Sequence, residues 1–313
     1  MPIGVYMENL IEKIKRLKKE KNAVIIAHNY ELPEVQDIAD FVGDSLGLAR
    51  QAANTDADII LFCGVHFMAE TASIISQDKK VLIPDLTAGC SLADSITAEE
   101  LKKWKEENPN AVVVSYINTT AAVKAESDYC CTSSNAVEIV KSIPEEKLIL
   151  FCPDRFLGKF VMTTTKRKMK IWEGACHVHK KININDFEEK IKENPNADFL
   201  IHPECSCSAN CTSKSQNNIK VYSTEGMIKH VESSSNKNFV IATETGILHR
   251  LKKLHPEKNF IPMNENAICD YMKKITLNNI LDALKYEQYE VKVPKTLAEK
   301  AKLPIEKMLE LSK

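Results

Sequence analysis

The chain has 313 residues, 44% of them hydrophobic and 27% charged, enough to bury large cores and build two or three domains. Lys+Arg number 42 against Asp+Glu 43 and aromatics are 6%, so charge gives no reason to expect nucleic acid or acidic membrane as a partner, and a base-stacking platform is disfavoured. No apolar run reaches the roughly 18 residues that a membrane span needs.

The first stretch, MPIGVYMENLIEKIKRLKK, reads as an amphipathic helix with Leu10, Ile11, Ile14 and Leu17 on one face. Charges interrupt every apolar step, so no signal peptide is expected and the protein is placed in the cytoplasm. Ten cysteines in that compartment are thiols or metal ligands rather than disulfides.

Short Val/Ile/Leu-rich strands then alternate with helical segments, which predicts α/β units with parallel sheets. The first unit holds AVIIAHNY (Ala23–Tyr30), ADIILFCG (Ala57–Gly64) and KVLIPD (Lys80–Asp85). The second holds AVVVSYIN (Ala111–Asn118), KLILFCPD (Lys147–Asp154) and KIWEG (Lys170–Gly174). The third holds ADFLIHPE (Ala197–Glu204), FVIATETG (Phe239–Gly246) and NFIPM (Asn259–Met263). Each unit carries a hydroxyl-bearing segment between its first two strands, with Ser45, Ser133 and Ser223 as markers, and each ends by delivering a cysteine: Cys90, Cys176, Cys269. A period near 90 residues is too long for a solenoid and fits three small domains with approximate three-fold symmetry. From Thr276 the chain reads as helices that pack back on the first unit, through Leu277, Ile280, Leu281 and Leu284, then Leu297, Ala301 and Met308.

Ligands of parallel α/β sheets bind beyond the carboxyl ends of the strands. The polar residues there are His28, Asn29 and Tyr30, then Tyr116 and Asn118, then His202 and Glu204. Glu204 is the general-base candidate, with a pKa expected to rise in a dry setting. Ser45, Ser133, Ser134, Ser223 and Thr224 are read as helix starts, which serve as caps or as anion sites. Three cysteines at equivalent points suit an iron–sulfur cluster or another soft metal. Cys63, Cys130, Cys131 and Cys152 lie in apolar segments and read as buried packing. Cys205, Cys207 and Cys211 could hold a local metal, but no fourth ligand is near.

The motifs HNYELPEVQDIAD, GDSLGLA, FCGVHFMAETA, AGCSLAD, SYINTTAAVKAESD, TSSNA, WEGACHVH, LIHPEC, STEGMI and TETGILHRL resemble those of the quinolinate synthase family over nearly the whole chain. The resemblance implies α/β architecture: three αβα domains with parallel sheets, related by pseudo-three-fold symmetry around a central cluster and active site. On this chain the boundaries are 1–89 with 272–313, then 90–175, then 176–271. It implies an enzyme of NAD biosynthesis that condenses iminoaspartate with dihydroxyacetone phosphate to quinolinate, releasing phosphate and water. It implies one [4Fe-4S] cluster on Cys90, Cys176 and Cys269, the fourth iron open to act as a Lewis acid. Catalytic roles fall on Glu204, Tyr30, Tyr116 and His202. Substrate-binding roles fall on His28, Ser45, Tyr116, Asn118, Ser133, His177, His202, Glu204, Ser223 and Thr224. Implied partners are an upstream aspartate oxidase or dehydrogenase and cluster-assembly machinery. The chain departs from the family at SCSANCTSKSQNN, which reads as an extended loop where the family has a helix. The competing readings are a non-catalytic iron–sulfur sensor or scaffold and a metal-independent Schiff-base enzyme. The first would not need Glu204, Tyr30 and Tyr116; the second lacks a lysine at the end of a strand.

Overall fold

The structure is a computed structural model that describes residues 3–208 and 218–312. The stretch 209–217, with Cys211 and most of the divergent loop, lies outside the described residues.

The chain is α/β and builds three separate four-stranded parallel sheets. The first contains β1 (Ala23–His28), β2 (Phe41–Gly43), β3 (Ile59–Cys63) and β4 (Lys80–Leu82). The second contains β5 (Val112–Tyr116), β6 (Tyr129–Cys131), β7 (Ile149–Cys152) and β8 (Met169–Ile171). The third contains β9 (Asp198–Ile201), β10 (Ile219–Val221), β11 (Asn238–Ala242) and β12 (Asn259–Pro262). Their strand orders are β2-β1-β3-β4, β6-β5-β7-β8 and β10-β9-β11-β12, one topology written three times. All nine strands expected from the sequence are present. The second strand of each sheet was not expected: FVG, YCC and IKV are three-residue edge strands lodged in what read as loop.

The central strands are buried on both faces, as parallel strands under helices must be. Behind the second sheet, Ile96, Leu101, Val113, Val123, Leu150 and Cys152 form a core sealed by Trp104 and Trp172, whose rings meet edge to face at 5.5 Å. The Trp172 indole donates to the Ser95 carbonyl at 2.8 Å, so its polar edge is paired on burial.

The chain divides into two compact units. Met1–Cys90 with Cys269–Glu299 contains the first sheet; Ser91–Ile268 with Lys300–Lys313 contains the other two. In the first unit, the helix Leu277–Tyr286 packs on the N-terminal helix Ile3–Glu20, and Leu10 and Ile14 are buried there. The chain beyond it closes the β4 edge, with Val291 N–H donating to the Val81 carbonyl at 2.8 Å and Ile83 N–H to the Tyr289 carbonyl at 3.0 Å. Glu287 ties this return to the sheet through Lys21 and Lys80, each at 2.6 Å. No described helix is long and apolar enough to cross a membrane.

Each cysteine loop has the same build. Cys90, Cys176 and Cys269 precede by three residues the short 3-10 turns Ala93–Ser95, His179–Lys181 and Met272–Lys274. Seven residues after each cysteine stands a helix cap, Thr97, Asn183 or Thr276, and all three make a capping box. Two residues before each cysteine a carbonyl accepts from the loop after the third strand. His66 N–H reaches Ala88 at 2.8 Å, Arg155 N–H reaches Gly174 at 2.8 Å, and Thr245 N–H reaches Ala267 at 3.0 Å.

This packing can be probed at two places. A Cβ at Gly174 would lie 2.4 Å from Ser95 Oγ and 2.5 Å from the Pro153 carbonyl, a backbone atom that cannot swing away. Gly174→Ala is expected to cost about 1–3 kcal/mol in denaturant unfolding, whereas Gly4→Ala, with nothing within 4 Å, costs nothing. Separately, the Lys21 and Lys80 hydrogen bonds lower the Glu287 pKa from 4.5 to about 2. A carboxylate depressed on folding stabilises above its unfolded pKa, and that gain is lost as pH falls through the folded value. The stability gap between wild type and Glu287→Gln should therefore be constant above about pH 5.5 and close between 4.5 and 2.

Candidate functional site

The sheet register fixes which residues are equivalent. Ala27 pairs with Cys63, Ser115 with Cys152, and Ile201 with Ala242. One residue on stand His28, Tyr116 and His202, all buried. Two further on stand Tyr30, Asn118 and Glu204. On the other side of each central strand, His28 pairs with Gly43, Tyr116 with Cys131, and Ile201 with Val221. Counted from there, the equivalent hydroxyls are Ser45, Ser133 and Thr224, so Ser223 is not the match of the first two.

The roles expected of these hydroxyls change accordingly. In the first repeat the cap is Asp44, which accepts from Gly47 N–H at 2.8 Å, and half-buried Ser45 is the first helical residue. In the third, Ser223 is the cap, accepting from Gly226 N–H at 3.2 Å, and Thr224 is the first helical residue. In the second the helix starts only at Ala136, capped at Asn135, so Ser133 and Ser134 do not begin a helix. They sit in a turn held by Asn135 Oδ1, which accepts from Thr132 N–H at 2.6 Å.

In the first unit His28 and Tyr30 meet edge to face at 4.5 Å, and Tyr30 N–H donates to His28 Nδ1 at 3.2 Å. The same turn recurs in the second unit, where Glu204 N–H points at His202 Nδ1 at 3.4 Å. An N–H aimed at Nδ1 favours the tautomer with its proton on Nε2. Gln36 pins the first turn by donating to the carbonyls of Asn29 and Glu31 at 3.1 and 2.9 Å. Lys273, four residues past Cys269, donates to the Tyr30 carbonyl.

The second unit holds the densest polar cluster, and Glu204 is its centre. The Tyr116 hydroxyl donates to Glu204 Oε1 at 2.5 Å. His179 Nδ1 lies 3.3 Å from Oε2, and His202 Nδ1 lies 3.7 Å from Oε1. The two histidine rings stack at 4.6 Å. His202 Nε2 reaches Ser133 Oγ at 3.2 Å, and His179 Nε2 reaches Thr243 Oγ1 at 2.8 Å. Burial drives the Glu204 pKa upward, but the nearby His179 imidazole, then His202 and the Tyr116 hydroxyl, outweigh it and hold it at about 2. The rise expected from dryness alone is therefore corrected: Glu204 is ionised. Asp154 goes the other way, pushed well above the usual carboxylate range by burial and by the Glu204 charge. Its Oδ1 caps Phe156 and Leu157 N–H, and its Oδ2 accepts from Cys176 N–H at 3.3 Å. Asn118 Oδ1 is buried and accepts no hydrogen bond among the described residues. His177, next to Cys176, shares a 2.8 Å hydrogen bond with Ser91, next to Cys90.

The described cysteines separate into two kinds. Cys90, Cys176 and Cys269 are half-buried; Cys63, Cys130, Cys131, Cys152, Cys205 and Cys207 are buried. Burial pushes the thiols of Cys130 and Cys152 up to about 12 and raises Cys63, Cys131 and Cys205 as well. Such thiols are inert packing groups. The Cys176, His179 and Glu204 ligand atoms all lie within 4.8 Å of one another.

Sequence reasoning did not find His179, Asp154 or Thr243. The signal for His179 was the spacing C-x2-H in CHVH, and for Asp154 a carboxylate two residues past β7.

Fold and site together define an α/β enzyme built from three copies of one sheet, with a buried carboxylate–imidazole–phenol cluster beside a half-buried cysteine. The chain matches the family described as quinolinate synthetase A protein over residues 12–310, and it belongs to that family. It is 53% identical over 306 residues to a quinolinate synthase of Pyrobaculum aerophilum, covering 97% of this chain and 100% of that one. It is 50% identical over 302 residues to a quinolinate synthase of Thermus thermophilus, covering 96% and 97%. It is 47% identical to a quinolinate synthase of Mycobacterium tuberculosis over 311 residues, covering 97% and 89%.

One link behind the site gives a prediction. Lys124 is fully buried and donates to the Thr119 carbonyl, and the Thr119 hydroxyl donates to the Tyr116 carbonyl at 3.1 Å. This relay holds the turn that carries Tyr116 and Asn118. Lys124→Met keeps the apolar stem but strands the Thr119 carbonyl, and should lower unfolding stability by about 1–3 kcal/mol in urea titration.

Proposed function

We propose that the protein is a quinolinate synthase of NAD biosynthesis that condenses iminoaspartate with dihydroxyacetone phosphate and closes and dehydrates the ring, releasing phosphate and water. The observation that carries this reading is the threefold cysteine loop: three half-buried cysteines in one hydrogen-bonded setting, while the other described cysteines are buried. That donor set fits an iron–sulfur group, whose thiolates must be open to the metal and fixed by backbone. Cys90, Cys176 and Cys269 would hold one [4Fe-4S] cluster. When bound, it would supply Lewis acidity at an iron without a protein thiolate, aiding loss of hydroxide. The three-domain division at residues 90 and 176 belongs to the same proposal.

The chain's own residues have these roles. Glu204 is ionised before substrate arrives, and protons reach it through the two groups that touch its oxygens, the Tyr116 hydroxyl and the His179 ring. Tyr30, fixed against His28, moves a second proton during enolisation and ring closure. His202 donates from Nε2 toward Ser133, and with His28, Ser45, Ser223 and Thr224 it holds carboxylate or phosphate oxygens. Asn118 offers its buried Oδ1 to a donor on the substrate. His177 holds a carboxylate. The enzyme works in the cytoplasm on small molecules, with iminoaspartate supplied by an aspartate oxidase or dehydrogenase and the cluster by assembly machinery. The sensor or scaffold reading leaves the Glu204 cluster without a purpose, which disfavours it.

The test is anaerobic purification with iron and sulfide analysis and Mössbauer spectra, with and without quinolinate. About four irons per chain are expected, with one site altered by quinolinate. Cys90→Ala, Cys176→Ala and Cys269→Ala should each lose the cluster and turnover together. Glu204→Gln should keep the cluster and lose about 10²–10⁴-fold in kcat. Failure to bind iron after reconstitution would overturn the reading.

A further inference from the structure

The residues around Glu204 assemble a second kind of donor set that has only Cys176 in common with the proposed cluster. It mixes one thiol, one imidazole and one carboxylate, Cys176, His179 and Glu204, with all ligand atoms within 4.8 Å. His179 and Glu204 are both buried, and Cys176 is half-buried on the adjoining loop. Tetrahedral zinc with bonds of about 2.0–2.3 Å places its donors about 3.2–3.7 Å apart. His179 Nδ1 and Glu204 Oε2 already stand 3.3 Å apart. The Cys176 sulfur lies within 4.8 Å of its two partners, and a side-chain rotation is what would bring it into the coordination shell.

The surrounding hydrogen bonds prepare the same arrangement. His179 Nε2 is engaged by the Thr243 hydroxyl at 2.8 Å, which leaves Nδ1 as the nitrogen turned toward Glu204. A metal-bound histidine is normally oriented in this way through its other nitrogen. The Tyr116 hydroxyl occupies Glu204 Oε1 and leaves Oε2 on the His179 side. Asp154 holds the Cys176 backbone N–H at 3.3 Å and so anchors the loop that brings the sulfur. One thiolate and one carboxylate balance the two charges of the ion; the thiol proton and any proton on His179 Nδ1 are released to solvent as the zinc binds.

We propose that, in the cluster-free chain, Cys176, His179 and Glu204 bind a single Zn²⁺, with water as the fourth ligand. The site needs no residue of the first compact unit and does not rest on the reading of the protein as a synthase. It shares Cys176 with the proposed cluster, so zinc and cluster exclude each other, and zinc takes Glu204 out of service as well.

The experiment uses the full chain, stripped of metal by chelator under reducing, oxygen-free conditions and checked by circular dichroism. Zn²⁺ is titrated against a chromophoric chelator. One tight ion per chain is expected. His179→Ala should weaken it by more than about 100-fold, and Thr243→Val by about 10-fold, the scale of lost outer-shell support. Cys90→Ala and Cys269→Ala should leave it unchanged. Co²⁺ in place of zinc should give the charge-transfer absorption of one thiolate, a readout that a misfolded variant could not imitate. Zinc that survives in His179→Ala but is lost in Cys90→Ala or Cys269→Ala would overturn the proposal in favour of a three-thiolate site. Absence of stoichiometric zinc would overturn it outright. Neither result touches cluster assembly with iron and sulfide, which tests the synthase reading separately.

Discussion

The arrangement depends on one backbone hydrogen bond made three times. An N–H just beyond the third strand of each sheet donates to a carbonyl two residues before each candidate cysteine. These N–H groups stand three residues past the strand. Two of them, His66 and Arg155, are at the first position of a helix, where no partner exists within the helix, and buried backbone groups must find partners. Here the partner is the returning loop, so closing the sheet and placing the cysteine are one event. After the 3-10 turn, the capping box satisfies two N–H groups at the start of the next helix and leads the chain into it. The thiols are thus positioned by secondary structure before any metal arrives.

The polar cluster is governed by competition between desolvation and neighbouring charge. Glu204 and Asp154 are both buried carboxyls and yet shift in opposite directions. Glu204 faces two imidazoles and a phenol; Asp154 faces Glu204 and three backbone N–H groups. Burial raises both, and only the one with imidazole and phenol neighbours is brought back down.

Much of this was legible in the sequence because period and spacing survive divergence. The nine central and fourth strands are runs of Val, Ile and Leu, and the equivalence of His28, Tyr116 and His202 follows from their place after those runs. The edge strands were not legible, since three residues such as YCC or FVG carry no periodic signal and pair only because a strand beside them offers a ladder. The match of Ser45 with Thr224 rather than Ser223 depends on register, which a spacing count misses by one. His179 was invisible as a partner of Glu204 because the two meet across 25 residues of sequence through tertiary packing. The direction of the Glu204 shift was misjudged for the same reason: burial is readable from an apolar neighbourhood, and the imidazoles that oppose it are not.

The side chains at matched places diverge unevenly. Thiol stands at all three cysteine positions and hydroxyl at Ser45, Ser133 and Thr224, but the strand-end places hold His, Tyr and His, and the next ones Tyr, Asn and Glu. Three identical copies would carry the same side chain at every matched place. Keeping the cysteine and hydroxyl positions alike while the strand-end positions differ breaks that sameness without disturbing the scaffold. Three repeats in one chain permit it, because a homotrimer must change all its sites at once whereas each repeat of a single chain can differ alone.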